Sequence, residues 1–404
     1  MTAISVSGSA HGILQIHWSF PPTTGGVESH VSDLAAALAA RGCRIVVLTG
    51  QTNPIDRGSY KILVTEFLDL QRIRKAALPF SDFVAGFHRL LARIVSEHDI
   101  QIIHGHNLHH FHSAPALAID KLRRACGMRV FHTFHETWPD VLHTNPVYQS
   151  WDGNYAVSRH VQEQCRATLG FVPDLFPLGV NTEAFKPRTE CFTSGNRPVI
   201  LHPARLLPWK GTDITIRALR ILLDRGYPAD LIITDTQRIV DWHGELVDYR
   251  IMIQQLIMQL GLHDFVRFEQ ASYCDMPRLY ETADIVVYPT VGDEPYGLVP
   301  VEAMSCSRPI VASDSGGIRE TVINGITGFI VPKRNAEALA NCMAELIANP
   351  GLARRLGSAG RERAQALYNA ERYVSDLMER FRSEPEIAAT VTRRCGEVRI
   401  VIVH

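Results

Sequence analysis

The stretch 285-IVVYPTVGDEPYGLVPVEAMS-305 decides the fold. Four apolar residues at 285–288 read as a short buried strand, because a strand covered on both faces is apolar throughout. Glu294 follows in a loop with Pro295 and Gly297, and the apolar run 298–304 reads as a mostly buried helix ending at Ser305. Strand, glycine-bearing loop and buried helix make half of a βαβ unit. Strands at 309–312 and 328–331 continue the rhythm, and helical sequence then runs from 336 to about 382.

The rhythm also extends backwards. Strands at 199–204, 229–234 and 266–268 alternate with helices at 212–225 and 246–260. Nearer the N-terminus, strands at 13–18, 44–49, 100–104 and 129–135 alternate with helices at 27–41, 80–97 and 114–126, and with one that runs from an N-cap at Ser158 to Leu169. Between the two series, 177–198 holds Pro177, Pro187, Ser194-Gly195-Asn196 and Pro198 with little periodicity. The expected fold class is α/β, with two doubly wound, Rossmann-like domains facing across a deep cleft. The domains are 1–180 and 199–369, joined by a linker at 181–198. A helix at 370–382 and an unassigned tail at 383–404, with a β-like run at 398–403, complete the chain. Ligands of such sheets bind beyond the C-terminal ends of the strands.

Composition narrows the function. The 404 residues are 46% hydrophobic and 21% charged, which excludes a disordered chain, a collagen and a coiled-coil rod. Lys plus Arg is 41 and Asp plus Glu is 42, so no global field favours nucleic acid, and no nucleic-acid partner is expected. The eight cysteines are irregularly spaced with no CxxC pair, as reduced thiols of a cytoplasmic protein would be. The first residues lack the basic and apolar regions of a signal peptide, and no apolar run nears the ~18 residues of a spanning helix. Peripheral contact with a membrane surface stays open, and the oligomeric state is not set by any pattern.

Four features carry chemistry. Gly25-Gly26 opens the first long helix, where bare backbone and a helix N-terminus suit an anion. Arg205 and Lys210, in 205-RLLPWKG-211, lie between a strand end and a helix start, where two cations suit a diphosphate. Glu294 and Glu302 flank Gly297-Leu298, whose backbone N–H groups could hold phosphate oxygens. Buried in its helix, Glu302 needs a partner, either a sugar hydroxyl or a structural cation. Histidines cluster at 104, 106, 109, 110, 112, 132 and 135. His104 and His106 would share one strand face, but no Cys or acidic residue sits at metal spacing, so no metal site is expected. His135 ends its strand, where a cleft residue belongs. The fingerprints GxGxxG and GxxxxGK[ST] are both missing, against a dinucleotide enzyme and a P-loop NTPase.

Together these motifs resemble the retaining, nucleotide-sugar-dependent glycosyltransferases of family 4, with the GT-B fold, from about Ile13 to Tyr373. The strongest block is 288-YPTVGDEPYGLVPVEAMSCSRPIVASDSGGIRETVINGITGFIV-331, which holds a Glu, seven residues and a second Glu. GGVESHV at 25–31, HTFHE at 132–136, AVSRHV at 156–161 and PLGVNTEAFKP at 177–187 support it. The resemblance implies that Arg205 and Lys210 bind the donor diphosphate, with Gly26, Gly297 and Leu298 assisting through their backbones. It implies that Glu294 holds the donor sugar hydroxyls, Glu302 the ribose, and that His135 lines the sugar site near the anomeric carbon. The catalytic set would be Glu294, His135, Arg205 and Lys210. The N-terminal domain would bind the acceptor, with Gly25 and His106 as candidates, and the helix at 370–382 would cross back to it. No cofactor or metal is expected. The implied reaction moves a hexosyl group, glucose- or N-acetylglucosamine-like, from a UDP- or GDP-sugar to a small-molecule or glycan acceptor, with retention. The chain departs from the family at Ala204, at Leu178-Gly179-Val180 and at Thr234-Asp235-Thr236, where the family often has Gly, NGV and a Gly-x-Gly turn. The rivals are a nucleotide-sugar 2-epimerase, a sugar phosphorylase, a two-lobed sugar-binding protein and a nicotinamide dehydrogenase.

Overall fold

The structure, a computed structural model, describes residues 11–23, 25–50, 58–75, 79–137, 146–187, 190–192, 197–235 and 246–383. The tail at 384–404, with its run at 398–403, and the turn Ser194-Gly195-Asn196 lie outside the described residues, as do residues 1–10.

Two parallel sheets organise the chain. The first half runs β1 (Gly12–Ile16), α1 (Gly26–Ala40), β2 (Arg44–Thr49), β3 (Lys61–Val64), α2 (Leu70–Lys75), α3 (Phe80–Glu97), β4 (Ile102–His106), α4 (Ala114–Cys126), β5 (Arg129–Phe134), β6 (Gly153–Ala156), α5 (Arg159–Leu169) and β7 (Asp174–Leu175). Its strand order is β3-β2-β1-β4-β5-β6-β7. The second half runs β8 (Val199–His202), α6 (Thr212–Asp224), β9 (Asp230–Asp235), α7 (Leu246–Gln259), β10 (Val266–Gln270), α8 (Met276–Thr282), β11 (Ile285–Tyr288), α9 (Leu298–Ser305), β12 (Ile310–Ser313), α10 (Ile318–Thr321), β13 (Phe329–Val331), α11 (Ala336–Ala348), α12 (Pro350–Leu367) and α13 (Ala370–Arg382). Its order is β10-β9-β8-β11-β12-β13. In each sheet the order reverses once, between β1 and β4 and between β8 and β11, and a doubly wound sheet opens its ligand crevice at that point.

Burial follows the strand period of two. In the second sheet Ile200, Leu231, Ile233, Ile285 and Val287 enter one apolar cluster under α6, α7 and α11. Their neighbours Leu201, Ile232, Val286 and Tyr288 enter the other, which is continuous with the core of the first half. Both faces are therefore covered, as the unbroken apolar runs require.

Several elements differ from the sequence expectations. β3, β6 and β7 were not anticipated: they are short, and their sequences KILV, GNYA and DL are only partly apolar. β4 starts two residues late because the Ile100 N–H still donates to Val95 O at the end of α3. The long helical run after 336 is three helices. Pro350 cannot donate inside a helix, and Asn349 and Asn369 cap the helices that follow them. The linker region is partly packed, with Phe185 and Cys191 buried.

Among the described residues the chain passes between the halves twice, near Val180 and near Asn369, and the two passages pair with each other. The Val180 N–H donates to Tyr368 O and the Ala370 N–H to Val180 O, at 2.8 and 3.0 Å. α13 then lies on the first sheet. Phe381 meets Phe131 at 4.7 Å between ring centroids, Tyr373 meets Phe176 at 4.8 Å, and Arg129 donates to Phe381 O at 2.5 Å. Among the described residues no helix is long and apolar enough to cross a membrane.

Candidate active site

The order reversal in the second sheet creates the site. After β8 the chain turns through Arg205 into a single 3-10 turn, Pro208–Lys210, and after β11 it turns through Pro289 to Glu294. Because β8 and β11 are neighbours, Lys210 and Glu294 meet although they lie far apart in sequence. Lys210 Nζ donates to Glu294 Oε2 at 2.7 Å and to the Tyr288 hydroxyl at 2.6 Å. Tyr288 in turn donates to Glu294 Oε2 at 2.7 Å. Both charged side chains are 12% exposed. Burial pulls the Glu294 carboxyl upward, but Lys210, the Tyr288 hydrogen bond and the nearby Arg205 outweigh it and hold it below the usual carboxylate range. Burial beside the Glu294 charge pushes the Tyr288 phenol up, so it remains a donor.

Two glycine positions make this approach possible. Gly211, at φ 76°, packs against the Pro289 carbonyl, which any side chain there would overlap. Gly316, at φ 42°, packs in the same way against the carbonyl of Glu294. Around it, the Glu294 N–H donates to Ser315 Oγ at 3.0 Å and the Gly317 N–H to Glu294 O at 2.8 Å. The loop carrying Glu294 is therefore clamped at both its amide and its carbonyl.

Among the described residues, three helices of eight or more residues open on glycine with no side-chain cap: α1 at Gly25, α6 at Gly211 and α9 at Gly297, the last at φ 94°. Their first N–H groups and aligned dipoles are sites for anionic oxygens. Gly26 faces Leu298 across the cleft, and a Cβ added there would lie 3.3 Å from Leu298 Cδ1. At the C-terminal end of β9, Asp235 is buried and ion-paired with Arg250, and Thr234 donates to Ala204 O at 3.2 Å. Thr236 lies outside the described residues.

On the facing half, Glu28 sits in the first turn of α1. It accepts from Ser19 Oγ at 2.5 Å and lies 3.7 Å from His17 Nε2. Burial raises its pKa, but His17, Ser19 and Arg205 together hold it at about 2, so it carries a charge in the cleft. The sequence reading missed Glu28. Its signal was a carboxylate just after a double glycine at a helix start.

His135 and His106 are brought together, with His135 Nε2 and His106 Nδ1 3.0 Å apart. His30 of α1, also missed, joins them, so that one nitrogen from each of the three lies within 4.8 Å of the others. The sequence reading expected no metal and could not see this group, because His30 comes from a different element. In the present arrangement the group is engaged with protein, since His30 Nε2 also lies 3.3 Å from the Tyr373 hydroxyl. Burial holds all three imidazoles neutral, with His30 at about 3 and the other two well below their usual range.

Glu302 takes a different partner from Glu294, although it too acts on Tyr288. It is 5% exposed and accepts from the Tyr280 hydroxyl at 2.7 Å. Burial raises it to about 8, the Tyr280 bond opposing and Asp33 adding to the rise, so it is mostly protonated at neutral pH. Its proton is held more tightly in the folded than in the unfolded chain, where the value is 4.5. The group's contribution is therefore full below about pH 4.5 and is lost as pH rises towards 8, by a few kcal/mol in all. Glu302→Gln removes this titration. Its melting temperature relative to the parent should rise by several degrees between pH 5 and pH 9, and a difference independent of pH would mean that the carboxyl is ionised throughout.

Comparison with known proteins places this geometry. Residues 24–184 match the model described as Glycosyltransferase Family 4, and residues 188–363 match Glycosyl transferases group 1. A GDP-mannose-dependent alpha-(1-6)-phosphatidylinositol monomannoside mannosyltransferase of Mycolicibacterium smegmatis is 27% identical, over 85% of this chain and 91% of that protein. The phosphatidyl-myo-inositol mannosyltransferase of Mycobacterium leprae is 28% identical, over 84% and 88%. The crystal structure of Anabaena HepE in complex with UDP and glucose shares the fold, with a TM-score of 0.73 at 21% identity, over 93% of this chain and 100% of that one. With the first model on the N-terminal domain and the second on the C-terminal one, and two doubly wound domains meeting at their crevices, the chain is a family 4-like glycosyltransferase with the GT-B fold.

Proposed function

We propose that the protein transfers a hexosyl group from a nucleoside diphosphate sugar to an acceptor hydroxyl, with retention of anomeric configuration. The observation that carries this reading is the Lys210–Tyr288–Glu294 constellation at the β8/β11 crevice, among three glycine-capped helix N-termini. Cations and helix dipoles suit a diphosphate, and a carboxylate held ionised accepts hydrogen bonds from sugar hydroxyls. Arg205, Lys210 and the amides at Gly297 and Leu298 take the diphosphate in this reading, and Gly26 allows its close approach. Glu294 takes the sugar, Glu302 the ribose, and His135 lines the face of the anomeric carbon.

The bond from the anomeric carbon to the phosphate oxygen breaks, and negative charge grows on the leaving diphosphate. Groups already aimed at that oxygen stabilise the transition state more than the ground state. The acceptor oxygen bonds to the anomeric carbon from the same face, and its proton passes to the departing phosphate oxygen. No protein base is then required. Closure of the cleft keeps out the water that would hydrolyse the donor.

The names of the two mannosyltransferase relatives make GDP-mannose the first donor to test and an inositol-bearing lipid headgroup the first acceptor. The glucose- or N-acetylglucosamine-like expectation is tested in the same panel, with UDP-glucose and UDP-N-acetylglucosamine. Mass spectrometry should detect a hexosylated product with one donor, and failure of every donor to bind overturns the reading. Donor conversion without acceptor, with carbon-2 exchange in heavy water, would identify an epimerase instead. Glu294→Ala should lower transfer about 100-fold while calorimetry finds nucleotide binding preserved. Equal loss of both would show that Glu294 is not a sugar contact.

A further inference from the structure

We propose that Glu320 is a positioning residue, which latches the two halves together and sets the Glu294 loop against the first domain; this rests on the transfer reading above. Helix α5 starts at the cleft edge of the first half. Its cap residue, Ser158, accepts the Val161 N–H at 3.1 Å, which leaves the amides of Arg159 and His160 in need of acceptors. Both are taken by one carboxylate from the other half of the protein. Arg159 N–H donates to Glu320 Oε2 and His160 N–H to Glu320 Oε1, each at 3.0 Å.

The same residue is tied to the site and to the domain crossing. The Ser158 hydroxyl donates to Pro295 O at 2.5 Å, one residue past Glu294. The Glu320 N–H donates to Gly317 O, and the Gly317 N–H donates to Glu294 O. Glu320 O accepts from Arg363 at 2.8 Å and from the Tyr368 hydroxyl at 3.0 Å, beside the second passage between the halves. One short segment thus joins α5, the Glu294 carbonyl and the crossing strap. A carboxylate at a helix N-terminus is favourable, yet in a half-exposed setting weak enough to break and re-form as substrates enter and leave. Closing the cleft completes the α5 cap and places Glu294 in the same movement. Opening it costs both.

The test uses the full-length protein and the variants Glu320→Ala and Glu320→Gln. The kcat of Glu320→Ala should fall about 10-fold, the effect of one lost charged cap. Nucleoside diphosphate affinity should stay within about 3-fold of the parent, because Arg205 and Lys210 are untouched. Amide exchange should quicken at Arg159, His160 and the Glu294 loop. Glu320→Gln keeps one acceptor oxygen and should recover part of the turnover. Unchanged exchange at Arg159 and His160 overturns the latch whatever the turnover. Faster exchange with parental kcat, or a loss of thermal stability alone, reduces Glu320 to a structural cap and overturns its positioning role. If the parent transfers no sugar from any donor, the transfer reading fails by itself, and the exchange measurement still decides whether Glu320 holds the halves.

Discussion

Lys210→Ala is expected to lower kcat by about 100-fold or more, because a donor aimed at developing charge contributes ~3 kcal/mol to the transition state. Arg205→Ala should do the same. Lys210 also neutralises Glu294, 2.7 Å away in a site where both are 12% exposed. Its removal leaves a buried carboxylate with the Tyr288 hydroxyl and the field of Arg205, so the pKa of Glu294 should rise and thermal stability should fall. The two losses separate in a double-mutant cycle. Lys210→Ala combined with Glu294→Gln should lose less stability than the sum of the single variants, because they share one contact. Donor-consumption kinetics and calorimetry with the nucleoside diphosphate make the measurement. Near-parental turnover in both Lys210→Ala and Arg205→Ala would remove the diphosphate assignment.

Gly316→Ala should be as damaging, from a position that carries no functional group. At φ 42° an L side chain is strained, and its Cβ would overlap the Glu294 carbonyl oxygen. The backbone that must yield belongs to Glu294 itself, clamped by Ser315 and Gly317. If Glu294 holds the donor sugar as proposed, a displacement near 1 Å there is enough for about a 100-fold loss of turnover. Circular dichroism should find the parallel sheets intact, and nucleotide binding should survive better than transfer, since Lys210 and Arg205 hang from a different loop. A variant with parental kcat would show that the clamp does not position Glu294.

Much of this was legible in sequence order. The second half was readable because its strands are buried on both faces, so their apolar runs stand out between amphipathic helices. That Glu294, Lys210 and Arg205 lie in loops after strand ends was readable because each follows an apolar run and sits near a glycine or proline that breaks the chain. β6 and β7 were not, since short, partly polar strands carry no such contrast. Glu28 was passed over although the double glycine before it marks the helix start, whereas nothing in the neighbours of His30 and Glu320 along the chain marks them. Each acquires its role from residues brought near by folding.

By itself, then, the order of residues determined the two doubly wound halves and the loops on which the site hangs, because strand and helix periods and chain breaks are local properties. Tertiary structure alone decided which charges meet and in what state. Glu294 and Glu302 look alike on one short motif, yet one is held ionised by Lys210 and the other is raised to about 8 beneath Tyr280. The physical reason is that ionisation depends on burial and on partners, and those partners come from segments far away along the chain.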